Sequence, residues 1–236
     1  MPDSATTPEH AIHLHPTAPL AERVLLPGDP GRALALAQTL LAEPKMFNHN
    51  RGLWGYTGEA ADGHALTIQA TGIGGPSAAI VFEELIALGA RRAIRVGTCG
   101  ALDRSLALGD LVIAREAICA DGASRALGAS DRAYADVQLS DALAQAAPTA
   151  RAGTIVSVDL FYERDGARSA EHAALAVEME AATLFAIGAR AAIPAACLLT
   201  VSDTFDEHGA RCRIDSAALL SAAERMGEVA LAALAA

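Results

Sequence analysis

Short apolar runs that end at glycine-rich turns constrain this chain most. Arg23-Val24-Leu25-Leu26-Pro27 reads as a buried strand, Gly28-Asp29-Pro30-Gly31 breaks it, and helical composition resumes from Arg32 to Leu41. Ala65 to Ala70 reads as another strand, running into Thr71-Gly72-Ile73-Gly74-Gly75-Pro76. A helix from Ser77 to Leu88 follows, with Pro76 near its start, where a missing N–H costs little. Ala93 to Val96 is a third strand, ending at Gly97-Thr98-Cys99-Gly100. Later strands are expected near Leu111 to Ala114, Thr154 to Val158 and Ala195 to Val201, and helices at Glu180 to Arg190 and from Ser216 onward. Strands alternating with helices predict a layered α/β fold, and with no repeat or low-complexity linker we expect one domain over residues 1–236. Asp121 to Asp136 reads as a long irregular loop.

Composition excludes several classes of function. A formal net charge of -10 argues against a nucleic-acid backbone as partner but leaves room for a small anion held by a few arginines. The longest apolar runs, such as Ala195-Ala196-Cys197-Leu198-Leu199, are far too short to span a bilayer, so no membrane partner is expected. Met1 to His15 carries acids, prolines and histidines rather than the basic and apolar stretches of a secretion signal, which predicts a cytoplasmic protein. Cys99, Cys119, Cys197 and Cys212 are scattered without a C-x-x-C spacing and read as free thiols rather than metal ligands.

Three junctions combine glycine with a cation or hydroxyl. In Gly28-Asp29-Pro30-Gly31-Arg32, glycine lets backbone approach a ligand, N–H groups entering a helix favour negative charge, and Arg32 adds a forked donor set suited to phosphate. Read alone, the same residues suit an ordinary turn followed by a surface arginine. In Arg95-Val96-Gly97-Thr98-Cys99-Gly100, Arg95 alternates with apolar neighbours, so it needs either an anion or an acidic partner within the sheet. Thr98 is placed just past that strand's end, where open α/β sheets bind ligands. In Asn50-Arg51-Gly52, Arg51 sits in a turn between strands and by itself is simply a solvated arginine. Gly72-Ile73-Gly74-Gly75-Pro76 lacks the third glycine of a dinucleotide fingerprint and the Lys-Ser or Lys-Thr of a P-loop, so no hydride-transfer cofactor is supported.

The carboxylates come next. Glu178 and Glu180 in Val177-Glu178-Met179-Glu180 face one side of an extended segment, suited to accepting from vicinal ribose hydroxyls; alternatively Glu180 stabilises a helix N-terminus. Asp203 lies at the mouth of the strand Cys197 to Val201, as a catalytic acid or a helix cap. Phe161 and Tyr162 form an aromatic pair in a chain with 4% aromatics, available to stack on a flat ligand or to pack in the core.

In this order, Pro27-Gly28-Asp29-Pro30-Gly31-Arg32, Arg51-Gly52, Thr71-Gly72-Ile73-Gly74-Gly75-Pro76-Ser77, Arg95-Val96-Gly97-Thr98-Cys99-Gly100, Asp159-Leu160-Phe161-Tyr162, Val177-Glu178-Met179-Glu180 and Val201-Ser202-Asp203 resemble the purine nucleoside phosphorylase and uridine phosphorylase family. The likeness is to its hexameric branch and runs from His13 to at least Asp203, closest to the purine nucleoside or methylthioadenosine phosphorylases. It implies a three-layer αβα sandwich with a central mixed β-sheet, and phosphorolysis of purine nucleosides to base and ribose 1-phosphate. The resemblance assigns Gly28, Arg32, Arg95 and Thr98 to phosphate, joined by Arg51 from a neighbouring subunit. His13 would reach from the neighbour to the ribose 5′-hydroxyl, with His10 and His15 as competitors. Met179 and Glu180 would contact ribose, Glu178 would lie near the base, Phe161 would stack on it, and Asp203 would be the general acid.

The resemblance implies no cofactor, inorganic phosphate being a co-substrate, and a homohexamer built as a trimer of dimers. Glu163-Arg164-Asp165 stands where uridine-cleaving members carry Gln and Arg, which favours purines. Methylthioadenosine or uridine phosphorolysis is the alternative, then nucleoside hydrolysis or non-catalytic nucleoside binding. Neither Arg211 nor Arg213 sits at the spacing of the arginine that supports the acid in bacterial purine members, so neither is assigned.

Overall fold

The computed structural model describes residues 11–162, 173–206 and 210–235. In chain order its elements are β1 (Arg23–Leu26), α1 (Pro30–Leu40), β2 (Leu41–Asn48), β3 (Gly55–Ala60), β4 (Ala65–Gln69), α2 (Gly75–Leu88), β5 (Arg92–Ala101) and β6 (Leu111–Ala120). There follow α3 (Gly122–Ala126), β7 (Arg132–Tyr134), α4 (Val137–Ala146), β8 (Arg151–Val158), β9 (Ala176–Glu178), α5 (Ala181–Ala191), β10 (Ala195–Phe205), β11 (Arg211–Arg213) and α6 (Ser216–Ala235).

Local chemistry sets several boundaries. Asp29 caps α1, its carboxylate accepting from the Arg32 N–H, while Pro30 occupies the first turn, where its missing N–H is harmless. Asp136 caps α4 in the same way through the Leu139 N–H. Gly89, at φ 115, ends α2 in the left-handed conformation that an L-residue with a side chain resists.

The strands form one mixed sheet in the order β11-β10-β6-β8-β9-β5-β1-β4-β3-β2, with β7 added to β6. β1 runs parallel to β4 and β5, while β2, β3 and β4 form an antiparallel meander. β10 also pairs with β5, so β5, β10, β6, β8 and β9 close on themselves as a ring. Alternation along the strands feeds two apolar layers. Val24 and Leu26 join Phe82, Leu85, Leu184 and Phe185, beneath α2 and α5. Leu25 joins Leu36, Leu143, Met226 and Leu234, beneath α1, α4 and α6. Phe82 and Phe185 are fully enclosed, each worth about 1.5–3 kcal/mol of burial. The expected αβα sandwich around a mixed sheet is what forms, with the ring closure added.

Three expectations change. β5 does not stop at Val96: Gly97, Thr98 and Cys99 stay in the strand because β10 pairs with them at Leu199, Thr200 and Val201. β10 likewise runs on to Phe205, with an irregularity between Val201 and Asp203. Asp121 to Asp136 is not an irregular loop; it holds α3, capped by Asp121, and β7, paired with β6.

Candidate active site

The strand ends of β1, β5, β9 and β10 open into a cavity of about 670 Å³. Gly28, Arg32, Arg51, Arg95, Thr98, Phe161, Glu178, Met179, Glu180 and Asp203 all line it. A larger hollow of about 1330 Å³ lies beyond Phe205; its wall includes Leu102, Leu106, Leu108, Ala152 and Leu175 and lacks the converging arginines.

Arg95 organises one end. It is 3% exposed, on the α2 and α5 side of β5, and its fold back over the strand requires glycine at 97. A Cβ built on Gly97 would stand 2.6 Å from Arg95 Nη2. Arg95 Nε donates to Glu178 Oε2 at 2.9 Å, and Nη2 lies 2.5 Å from Glu180 Oε2. Burial works against its charge, but Glu180 and Glu178 outweigh it and hold the guanidinium firmly cationic. The remaining nitrogen, Nη1, is buried and has no partner among the described residues. Arg32 is half-buried nearby; loss of solvent lowers its pKa, with Asp29 opposing and the Arg95 charge adding to the effect. Two cations that penalise one another, with a buried donor left over, form a hole shaped for an anion. Gly28 keeps it open, since a Cβ there would lie 3.9 Å from Arg95 Nη1.

Both glutamates are anchored. Glu178 accepts from Arg95 Nε, from Ser157 Oγ at 2.5 Å, and from the N–H groups of Glu180 and Ala181 at the start of α5. Burial and the neighbouring Glu180 push its carboxyl up, against the pull of Arg95. These partners aim the Glu178 carboxylate at the sheet and the arginine. Glu180 also accepts from the Gly74 N–H at 2.5 Å, before α2. The expected shared orientation of the two carboxylates is therefore realised, with Arg95 between them. Cys99 lines the cavity as well, but burial pushes its thiol up and keeps it protonated, leaving no thiolate nucleophile there.

Asp203 marks the other end, 6% exposed, inside β10 rather than past its mouth. Ser202 Oγ is 2.7 Å from Asp203 Oδ2. Oδ1 is buried without a hydrogen bond among the described residues, and Arg213 Nε lies 3.1 Å away without the alignment of one. Arg211 Nε is 4.0 Å from the same oxygen, and its guanidinium stacks on Phe161 at 4.6 Å and on Phe205 at 5.7 Å.

The profile of the phosphorylase superfamily matches residues 22–235. The chain belongs to this superfamily. Among its relatives, a DeoD-type purine nucleoside phosphorylase of Oceanobacillus iheyensis is 37% identical over 196 residues, covering 78% of this chain and 83% of that one. One of Clostridium beijerinckii is 37% identical over 207 residues, covering 83% and 86%. The crystal structure of a uridine phosphorylase from Vibrio fischeri superposes with a TM-score of 0.81 at 26% identity, covering 92% of each chain.

Within this phosphorylase-superfamily chain, His13 is the candidate that stands apart from the cavity. Its Nδ1 is 2.7 Å from Glu84 Oε1 on α2, and Glu84 also accepts from the N–H groups of Ile12, His13 and Leu14. His15 bonds instead toward Asn48 through its N–H, while His10 and Glu163 to Asp165 lie outside the described residues. Arg51 lines the cavity of its own chain, from a tight turn in which its φ is 57. Ser202 and Ser157 are partners the sequence did not reveal, and Arg213, which the sequence left unassigned, is the arginine nearest Asp203. Arg213 faces Asp203 because β11 folds back antiparallel on β10, pairing 203 with 213 and 205 with 211. The Arg-x-Arg alternation signals one shared strand face, but the register that aims it exists only in the fold.

Proposed function

We propose that this chain is a purine nucleoside phosphorylase, splitting nucleosides with inorganic phosphate into free base and ribose 1-phosphate. The observation that carries the reading is the buried Arg95 Nη1, without a partner among the described residues, beside Gly28 and Arg32 at one end of a cavity whose other end holds Asp203. Phosphate sits between the Gly28 backbone, Arg32, Arg51, Arg95 and Thr98. Glu180 and Met179 meet the ribose, with the vicinal hydroxyls donating to Glu180. The base lies against Phe161, near Glu178 and Asp203. Relatives named as DeoD-type purine nucleoside phosphorylases support the purine class.

Phosphate is a weak nucleophile, and the arginines act by holding it against C1′. As the glycosidic C1′–N9 bond breaks, its electron pair goes to the purine, while a phosphate oxygen forms the new bond to C1′. The oxocarbenium-like sugar is stabilised by the phosphate dianion beneath it. Asp203 gives its proton to purine N7, and Arg213 stabilises the carboxylate left behind. Water attack would need no such anion site, so the arginines favour phosphorolysis over hydrolysis.

The assembly in this reading is a homohexamer, a trimer of dimers, in which His13 and Arg51 serve a neighbour's cavity. His13 lies outside the cavity of its own chain, which supports its donation to a neighbour, whereas Arg51 also reaches the wall of its own cavity. Ile12, Trp54, Ile73 and Ile80 are exposed apolar residues, which supports a protein partner over open solvent.

Base release from inosine, adenosine and uridine, each with and without inorganic phosphate, tests the function. Phosphate-dependent release of hypoxanthine or adenine with uridine inert is expected. Release that ignores phosphate makes the chain a hydrolase, and release from uridine alone removes the purine reading.

A further inference from the structure

Arg51 owes its place to a side chain that does not touch the cavity. Arg51 is a non-glycine residue at φ 57, ψ 19, in the turn Asn50–Gly52 between β2 and β3. That left-handed conformation persists only where neighbours hold it. Asn48, wholly buried at the end of β2, grips the turn on both sides. Its Nδ2 donates to the Leu53 carbonyl at 2.5 Å and lies 3.4 Å from that of Asn50; its Oδ1 accepts from the Asn50 N–H at 3.3 Å. A second buried amide, Gln69, donates to the same Leu53 carbonyl at 2.9 Å. Asn48 Oδ1 also accepts from the His15 N–H at 2.9 Å, and Asn50 Nδ2 donates to the His13 carbonyl at 2.9 Å. The His13 segment and the Arg51 turn are thus one hydrogen-bonded unit with Asn48 at its centre.

We infer that Asn48 is a positioning residue for phosphate binding: it holds the strained turn that presents Arg51 and ties that turn to the segment carrying His13. The inference rests on the reading above that Arg51 binds phosphate. No small apolar residue can replace Asn48, because it is donor and acceptor at once to backbone on both flanks of Arg51. Without it the turn is free to relax toward negative φ, which carries the guanidinium elsewhere.

A double-mutant cycle on the full chain tests this, with KM for phosphate, KM for inosine and kcat measured for wild type, Asn48→Ala, Arg51→Ala and the double variant. Asn48→Ala is expected to raise phosphate KM about tenfold, the scale of one lost charged hydrogen bond, with inosine KM and kcat changed less than threefold. In the Arg51→Ala background it is expected to add nothing to phosphate KM. Additive effects overturn the inference while leaving Arg51 as a phosphate ligand. An Arg51→Ala variant with wild-type phosphate KM removes the Arg51 assignment and the inference with it. If Asn48→Ala fails to fold, Asn48→Asp is used in the same cycle. It keeps Oδ1 for His15 and Asn50 but faces the Leu53 carbonyl with an acceptor, and the same non-additivity is required of it.

Discussion

Gly28→Ala is a small change with a large expected consequence for phosphate and little for folding. Gly28 does not have a positive φ, so alanine fits its backbone. The added Cβ would lie 3.2 Å from the Gly72 carbonyl oxygen, close enough to require a shift of a few tenths of an ångström. It would also lie 3.9 Å from Arg95 Nη1, in the space where an anion oxygen has to approach to about 2.8 Å of that nitrogen. The methyl and the oxygen compete for one place. Loss of a single charge-assisted hydrogen bond is worth about 1.5–3 kcal/mol, hence a phosphate affinity about ten- to a hundredfold weaker. Two assays read it. At saturating inosine, phosphate KM should rise by that factor. In thermal melts at phosphate equal to a hundred times the wild-type Kd, stabilisation of about 2.7 kcal/mol should fall to about 1.4 kcal/mol or less, with the phosphate-free melt nearly unmoved. A folded variant whose phosphate KM matches wild type would refute the placement of phosphate against Gly28 and Arg95.

Other expectations separate the base end from the anion end and from the scaffold. Arg213→Gln leaves Asp203 Oδ1 without its nearest cation, and kcat on inosine should drop about tenfold with phosphate KM held; an equal rise in phosphate KM would place Arg213 at the wrong end. Arg211→Gln removes the cation stacked on Phe161 and Phe205, a contact worth about 0.5–1 kcal/mol at an exposed site, so inosine KM should rise about two- to fivefold; an unchanged inosine KM would show that the stack does not serve the base. Asp62 is held at about 2, first by its hydrogen bond from Arg23, so its contribution is complete above its ordinary value near 3.8 and is lost as pH falls toward 2. Melting from pH 6 to pH 2 should therefore show Asp62→Asn less stable than wild type at pH 6 and converging with it near pH 2; parallel curves would discount the Arg23 pair.

What was legible in the sequence was the kind of residue at each strand end, and what was hidden was register. Arg95 stood out as a cation among apolar strand residues, and Glu178 and Glu180 as two acids on one side of an extended segment; the fold brings these three together. Gly97 and Gly100 read as punctuation, yet both lie inside β5, because Leu199 and Val177 on neighbouring strands pair with them. Glycine there provides room rather than a break: a Cβ at 97 would collide with the Arg95 guanidinium. Arg211 and Arg213 could both be weighed as partners of Asp203 but not told apart, since that depends on how β11 folds back on β10. Asn48 gave no signal, because its importance lies in backbone groups at 15, 50 and 53 that no side-chain pattern records.

The two readings of Arg95, as half of an ion pair in the sheet and as the proposed anion ligand, are compatible in one arrangement. A guanidinium has nitrogens on two edges, and here Nε and Nη2 are taken by Glu178 and Glu180 while Nη1 remains. The acids do not satisfy the arginine fully; they fix its plane and keep it charged, and the remaining donor has no acceptor among the described residues. Glu180 in turn is fixed by the Gly74 N–H at the entry to α2, which ties the aim of Arg95 to two helix starts and the sheet at once. Two carboxylates beside a phosphate site would ordinarily repel the phosphate. In the proposed arrangement they are tolerable because each is spent on the cation assigned to phosphate, and because Glu180 keeps acceptor capacity for a ribose hydroxyl. In the proposed reading a single buried ion-pair network positions both the phosphate end and the sugar end of the cavity, so that disturbing Glu180 should raise KM for phosphate and for inosine together.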